Sequence, residues 1–144
     1  MITQAFSSGE ELRRYCREQG ITIAEAMQRR EEHLSEMSRE EIRAEMYKNL
    51  VVMRESVYKG LSEKVESVSG LSGGEAAMLF KYGKYSPFSG TNACRAAAAA
   101  MAVVEVNASM GCIVAAPTAG ASGILPGVLI ESARERGWSD EQLV

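Results

Sequence analysis

The chain has 144 residues, of which 46% are hydrophobic and 24% charged, and it carries a net charge of -3. That is the balance of one ordinary globular domain, with no basic footprint for nucleic acid or for an anionic membrane. No apolar run is long enough to span a bilayer, and the start, MITQAFSSGEELRRYC, lacks the basic-then-apolar order of a secretory signal. A cytoplasmic protein is therefore expected.

Cysteine usage excludes further classes. Cys16, Cys94 and Cys112 are an odd count at unrelated spacings, and His33 is the single histidine. A disulfide framework is not expected in a reducing compartment. A closed metal site normally needs about four nitrogen or sulfur ligands, so no metal site built by this chain alone is expected. Each cysteine reads as a small buried hydrophobe.

In chain order, helix-start signals recur. Ser8 and Glu11 open ELRRYCREQG, with Gly20 as its stop; Thr22 and Glu25 open AEAMQRREEHL; Ser38 and Glu41 open IRAEMYKNLVVMRESVYKGL, with Gly60 as its stop. Each has the form Ser/Thr-x-x-Glu, in which two side chains satisfy otherwise unpaired backbone N–H groups. Ile42, Met46, Leu50, Met53 and Val57 recur every three or four residues as one apolar stripe. Arg43, Lys48, Arg54 and Glu55 mostly face water, and Met27, Met37, Met46 and Met53 read as core or interface filling.

Residues 61–73, LSEKVESVSGLSG, are less regular and fit a loop or a short extended piece. Ser72 and Glu75 form a fourth capping signature that opens EAAMLFKYGKY, which Gly83 ends. Residues 84–90, KYSPFSG, form a turn-rich connector. From Thr91 the character changes. TNACRAAAAAMAVVEVNASMG contains five consecutive alanines; alanine is the best helix former, and a helix apolar on nearly all sides is usually buried. Glu105 and Asn107, near its end, either find buried partners or lie on a solvated edge.

Residues 111–127, GCIVAAPTAGASGILPG, turn through Pro117, Thr118, Ala119 and Gly120 and re-enter an apolar run after Ser122 and Gly123. Pro126 suits the first turn of a helix. The stretch reads as a small-residue loop delivering the chain into a helix over about residues 125–136, closed by Gly137. Backbone N–H groups and the positive end of the helix dipole at such a start suit a carboxylate or phosphate; a bare packing turn is the competing reading. Ser139 and Gln142 form a fifth capping signature, yet the sequence runs only about one turn further. A fragment, or a fold completed by another segment, is expected. The fold class expected is an all-α domain of about six helices: a helical layer over 1–60, a connector with a short helix over 61–90, and the alanine-rich helix, loop and following helix over 91–144.

The run from Glu105 through Asn107 and Met110 into GCIVAAPTAGASGILPG resembles the alpha chain of bacterial iron–sulfur-dependent L-serine dehydratase. The resemblance extends to residues 69–74 (SGLSGG), to Ser89 and Thr91, and to the N-terminal pattern ITIAEAMQRREE…SREEIRAEMYKNLVVMRESV, and so covers essentially the whole chain. It implies an all-helical subunit of an L-serine ammonia-lyase that makes pyruvate and ammonia without pyridoxal phosphate. A [4Fe–4S] cluster would act as Lewis acid on the substrate hydroxyl, a base would remove the Cα proton, and the aminoacrylate formed would tautomerise and hydrolyse. A separate beta chain would contribute to the substrate site. The resemblance covers about the first half of an alpha chain; the family's cluster cysteines lie further on, Cys16, Cys94 and Cys112 do not match them, and no metal ligand is assigned here. Some relatives carry cysteine where this chain has Ser122.

What remains is a pocket wall for L-serine. Thr118 would offer a hydroxyl, residues 120–123, with Gly120, Ser122 and Gly123, would offer N–H donors to the serine carboxylate, and Asn107 would bond the amino group or hold the loop; scaffolding competes for each. Ser89 and Thr91 are weaker, because a helix cap explains both. The catalytic base is not identified. Competing functions are a related lyase acting on another small amino acid, such as cysteine, and an inactive remnant that binds a partner chain.

Overall fold

A computed structural model describes residues 6–62, 65–86 and 88–144. Among these residues it is all-helical: α1 Gly9–Gln19, α2 Ile23–Ser35, α3 Arg39–Ser62, α4 Glu75–Tyr82, α5 Gly90–Ala108, α6 Ile124–Arg136 and α7 Asp140–Leu143, with short 3-10 turns at Gly83–Tyr85 and Ala119–Ala121. The all-α expectation stands, with α7 added to the six longer helices. Glu63 and Lys64 of the expected 61–73 loop, and Pro87 of the expected connector, lie outside the described residues. No helix among the described residues is long and apolar enough to cross a membrane.

The residues form two compact units, Met1–Met46 and Tyr47–Val144. In the first, the Ser8 and Thr22 hydroxyls accept the N–H groups of Glu11 and Glu25 at 3.2 Å each. The return bonds go elsewhere: Glu11 takes the Ser7 N–H at 2.8 Å, and Glu25 pairs with Arg29 at 2.8 Å and Arg39 at 3.0 Å. Arg39 also reaches Glu32 at 2.6 Å, tying the start of α3 to α2. Ser38 and Glu41 do make the full reciprocal pair, at 2.8 and 3.3 Å.

The second unit holds the core. Met53 and Val57 of α3, Ala99 and Val103 of α5 and Ile130 of α6 form one buried cluster, with Leu61, Ile113, Val114 and Ala116 packed around it. The expected α3 stripe is therefore core at Leu50, Met53 and Val57, while Met46 is 48% exposed and Met27 40%; neither methionine fills a core. Gly60 does not stop α3. The helix runs on to Ser62, because a Cβ at Gly60 would stand 2.6 Å from that of Ala102: this glycine serves a close helix contact.

The alanine run has the same purpose. On α6, a Cβ at Gly127 would lie 2.7 Å from the Ala96 carbonyl oxygen and 2.9 Å from the Ala100 Cβ, and one at Gly123 would overlap the Ala100 carbonyl. Gly123 and Gly127 sit four residues apart, as do Ala96 and Ala100, so each pair shares one helix face. Small residues facing small residues let the two backbones touch, and this fixes where the start of α6 stands against α5.

Candidate functional site

The loop before α6 is built from its own short side chains. Thr118 has extended backbone and its Oγ1 accepts the Ala121 N–H at 3.3 Å, capping the 3-10 turn. Ser122 is 0% exposed, and its Oγ donates to the Ala119 carbonyl at 2.6 Å. Gly123 is the residue before α6, and it supplies no side-chain cap to the first turn. Pro126, in that turn, is buried and has no N–H to satisfy. The uncapped first-turn N–H groups leave the positive end of the α6 dipole at the loop.

Gly120 and Gly123 line a groove of about 370 Å³ with Ile124 of α6, Ala100, Met101, Val104, Glu105 and Ala108 of α5, and Ser72 and Glu75 at the start of α4. Met101, Val104 and Ile124 give it apolar flanks that are partly exposed. Its polar groups lie on two walls. One is the start of α6; the other carries the carboxylates of Glu75 and Glu105.

The α4 wall differs from the expected Ser72 cap. The N-cap residue is Gly74, which has no side chain to donate or accept. Ser72 is held in the preceding turn, its N–H on Ser67 Oγ at 3.2 Å and its carbonyl accepting the Ser67 N–H at 2.9 Å. Gly73 and Gly74 have φ of 142° and 91°, a left-handed path that favours glycine. Glu75 turns back to accept the Gly73 N–H at 2.7 Å. Its own N–H and that of Gly73 hold its carboxyl below the ordinary value of 4.5. Glu105, only 8% exposed, accepts the Gly74 N–H at 3.0 Å and the Ala76 N–H at 2.8 Å.

Of the residues singled out in the sequence, the groove brings together Gly120 and Gly123. Thr118 is exposed at the loop, Ser122 is turned inward, and Asn107 is half-buried in the last turn of α5; none of the three lines the groove. Sequence reasoning left Glu105 undecided between a buried and a solvated role and gave Glu75 only a capping one. A signal was present for Glu105: it is the one charged residue between Arg95 and Glu131, set in an apolar helix where a charge needs a partner. Ser89 does not cap α5 with its side chain. Its hydroxyl lies 3.0 Å from Cys94 Sγ, and this contact, with a further one from Ser86, holds the thiol below its usual value.

Comparison with known proteins bears on what such a groove serves. The family described as serine dehydratase alpha chain matches residues 18–144. The chain belongs to that family. It is 38% identical over 140 residues to the probable L-serine dehydratase, alpha chain, of Bacillus subtilis (strain 168), covering 96% of this chain and 46% of the relative. It is 37% identical over 116 residues to the L-serine dehydratase, alpha chain, of Peptoniphilus asaccharolyticus, covering 80% of this chain and 40% of the relative. The chain thus spans less than half the length of these curated relatives. No solved structure matches it.

The thiol positions test the expectation of an iron–sulfur cluster, a group that cysteine thiolates normally hold. Here Cys16 is half-buried on α1, Cys94 is buried on α5 and Cys112 is exposed after α5. Among the described residues no three His, Cys, Asp or Glu side chains come together as a metal group. The donor set of this chain does not fit a cluster. A larger cleft of about 620 Å³ between α3, α6 and α7 includes Arg54, Tyr58, Phe80, Glu131, Arg134 and Trp138. Its charges are already matched: Arg54 pairs with Asp140, at 3.0 Å through Nη1, and Arg134 with Glu131 at 2.6 Å. The loop does not line it, and the smaller groove is the better candidate.

Proposed function

We propose that this chain is the N-terminal part of an L-serine dehydratase (L-serine ammonia-lyase) alpha chain, and that its groove forms part of the wall of the serine pocket. The observation that carries the reading is the convergence of Gly120, Gly123 and the uncapped start of α6 on a groove whose other wall bears Glu75 and Glu105. A small zwitterion requires both polarities. The serine carboxylate is placed at the N–H groups of Gly120, Gly123 and the start of α6, where the dipole favours a negative charge; the Ala121 and Ser122 N–H groups are taken by Thr118 and Ala119 within the turn. Thr118 holds the loop through the 3-10 turn and keeps its hydroxyl proton free to donate. Ser122 supports the same turn from inside. Asn107 acts on the loop's approach from α5 and not on the amino group, because it does not line the groove.

The same reading takes residues 1–144 as one portion of a longer functional unit, with a beta chain as the partner and no role for nucleic acid or membrane. The [4Fe–4S] cluster expected of such an enzyme, which works without pyridoxal phosphate, takes its ligands from outside these residues. The chain's own share is binding and orientation: fixing the carboxylate and excluding water with the apolar flanks Met101, Val104 and Ile124.

The deciding experiment is anaerobic co-expression of this chain with the remainder of an alpha chain and a beta chain, followed by pyruvate assay with L-serine, L-threonine and L-cysteine. Pyruvate formed from L-serine in preference to the others supports the reading. Preference for L-cysteine favours the related lyase, and an assembled complex without activity on any of the three favours an inactive remnant.

A further inference from the structure

We propose that Glu105 is a positioning residue of this groove: through its carboxylate it holds the start of α4 and the turn before it in register with α5, and so sets the wall opposite the 118–123 loop. The inference rests on the serine-pocket reading above for its substrate, but its geometry stands separately. Glu105 is the buried charge of an otherwise apolar helix end, and burying a carboxylate is unfavourable unless its oxygens are bonded. Both are. Oε2 accepts the Gly74 N–H and Oε1 the Ala76 N–H, charge-assisted bonds that are stronger than neutral ones.

The arrangement solves a local problem. Gly74 carries no capping side chain, since its φ of 91° favours glycine. A Cβ at Gly73 would overlap the Val65 carbonyl. The residues that let the 67–74 turn close this tightly are therefore residues that cannot cap α4. Ser72 is committed to the turn through Ser67, and Glu75 turns back to the Gly73 N–H and its own. A carboxylate from 31 residues further along supplies the missing acceptors. The turn is tied to α5 a second time, by the Val68 N–H donating to the Ala108 carbonyl at 3.0 Å. Glu105 and Ala108 are three apart on α5, so both attachments fall on one face, and both residues line the groove.

One consequence concerns the ligand. The N–H groups of Gly73, Gly74 and Ala76 at the start of α4 are taken by the Glu75 and Glu105 carboxylates, whose negative charge makes that helix start a poor place for an anion. The start of α6 is left as the anion-accepting end of the groove. Glu105 therefore acts on orientation through the backbone it holds, without being required to touch the substrate.

The test uses residue-by-residue amide hydrogen exchange on Glu105→Gln and Glu105→Ala. Glutamine keeps the shape but offers one acceptor and turns an N–H donor toward a backbone N–H. Expected is exchange about tenfold faster at Gly74 and Ala76 in the Ala variant, with at least one of the two affected in the Gln variant, while Ala102 and Val103 keep their protection. In the assembled enzyme, Glu105→Gln is expected to raise KM for L-serine about tenfold with kcat within about twofold. Unchanged exchange at Gly74 and Ala76 in both variants overturns the proposal. So does uniform loosening of α5 and α6, which would make Glu105 a general stability element, or a fall in kcat with KM unchanged. If the assembled wild type forms no pyruvate from serine, the serine reading fails and the exchange data alone decide the positioning role.

Discussion

A methyl group at Gly123 would overlap the Ala100 carbonyl, whereas one at Gly120 meets nothing nearer than Thr118 Oγ1 at 4.0 Å. Two glycines three residues apart in one loop thus have different reasons to be there. Gly123→Ala must push α6 away from α5, and an overpacked contact of this kind typically destabilises by about 1–3 kcal/mol; chemical denaturation should show it as a lower midpoint at unchanged slope. Gly120 has no left-handed φ and no crowded Cβ position, so Gly120→Ala should stay within about 0.5 kcal/mol of wild type. If Gly120→Ala proves as costly as Gly123→Ala, the loop is packed and not open to a ligand. A fall in serine turnover by Gly120→Ala in the assembled enzyme, with folding intact, would mark the groove itself.

Among the helices, the α5–α6 pair carries the core, and Ile130 is where α6 enters the cluster with Met53, Val57, Ala99 and Val103. Ile130→Ala should cost about 2–5 kcal/mol, the range for truncating a core aliphatic, read again from the denaturation midpoint; a cost under about 1 kcal/mol would mean that α6 is not held by this cluster. Much at this scale was legible in the sequence. Gly20 and Gly137 close α1 and α6 in left-handed conformation, as helix-stop glycines do. Ser38 with Glu41, and Ser139 with Gln142, make reciprocal bonds. What stayed hidden depended on distant partners. Gly60 and Ser72 obey local rules for a stop and a cap, yet Ala102 and Glu105, more than 30 residues away in each case, decide their roles. For the site, residue type pointed to the loop, but it could not show that Ser122 faces inward or that Asn107 stands outside the groove, because each depends on how α6 is seated.

Across the whole chain, acid should act through carboxylates. Glu11, Glu41 and Glu75 are held below 4.5 first of all by backbone N–H groups near helix starts, and Glu25 by Arg29 and Arg39. Asp140 is held below 3.8 by Arg54. For each, the folded state binds its proton less readily than the unfolded chain, so the stabilisation is fully present above the ordinary values and is lost as pH falls through the lowered ones. A thermal unfolding midpoint that is level at neutral pH and drops below about pH 4.5 is expected. A midpoint that rises on acidification would contradict these bonds.

The cysteines allow a chemical test at the same scale. A four-iron cluster is normally bound by four thiolates, and this chain has Cys16, Cys94 and Cys112. Cys94 is already engaged with Ser89 inside the second unit, while Cys112 is exposed. Neither belongs to a group of three metal-binding side chains among the described residues. Anaerobic treatment of the chain alone with ferrous iron and sulfide should therefore leave no stoichiometric iron after desalting, no charge-transfer absorbance and no pyruvate from L-serine. The same treatment after assembly with the remainder of an alpha chain should restore all three if the missing ligands lie there. Stoichiometric iron on the isolated chain, abolished by Cys94→Ser or Cys112→Ser, would overturn this division of labour and place cluster ligands on this chain itself.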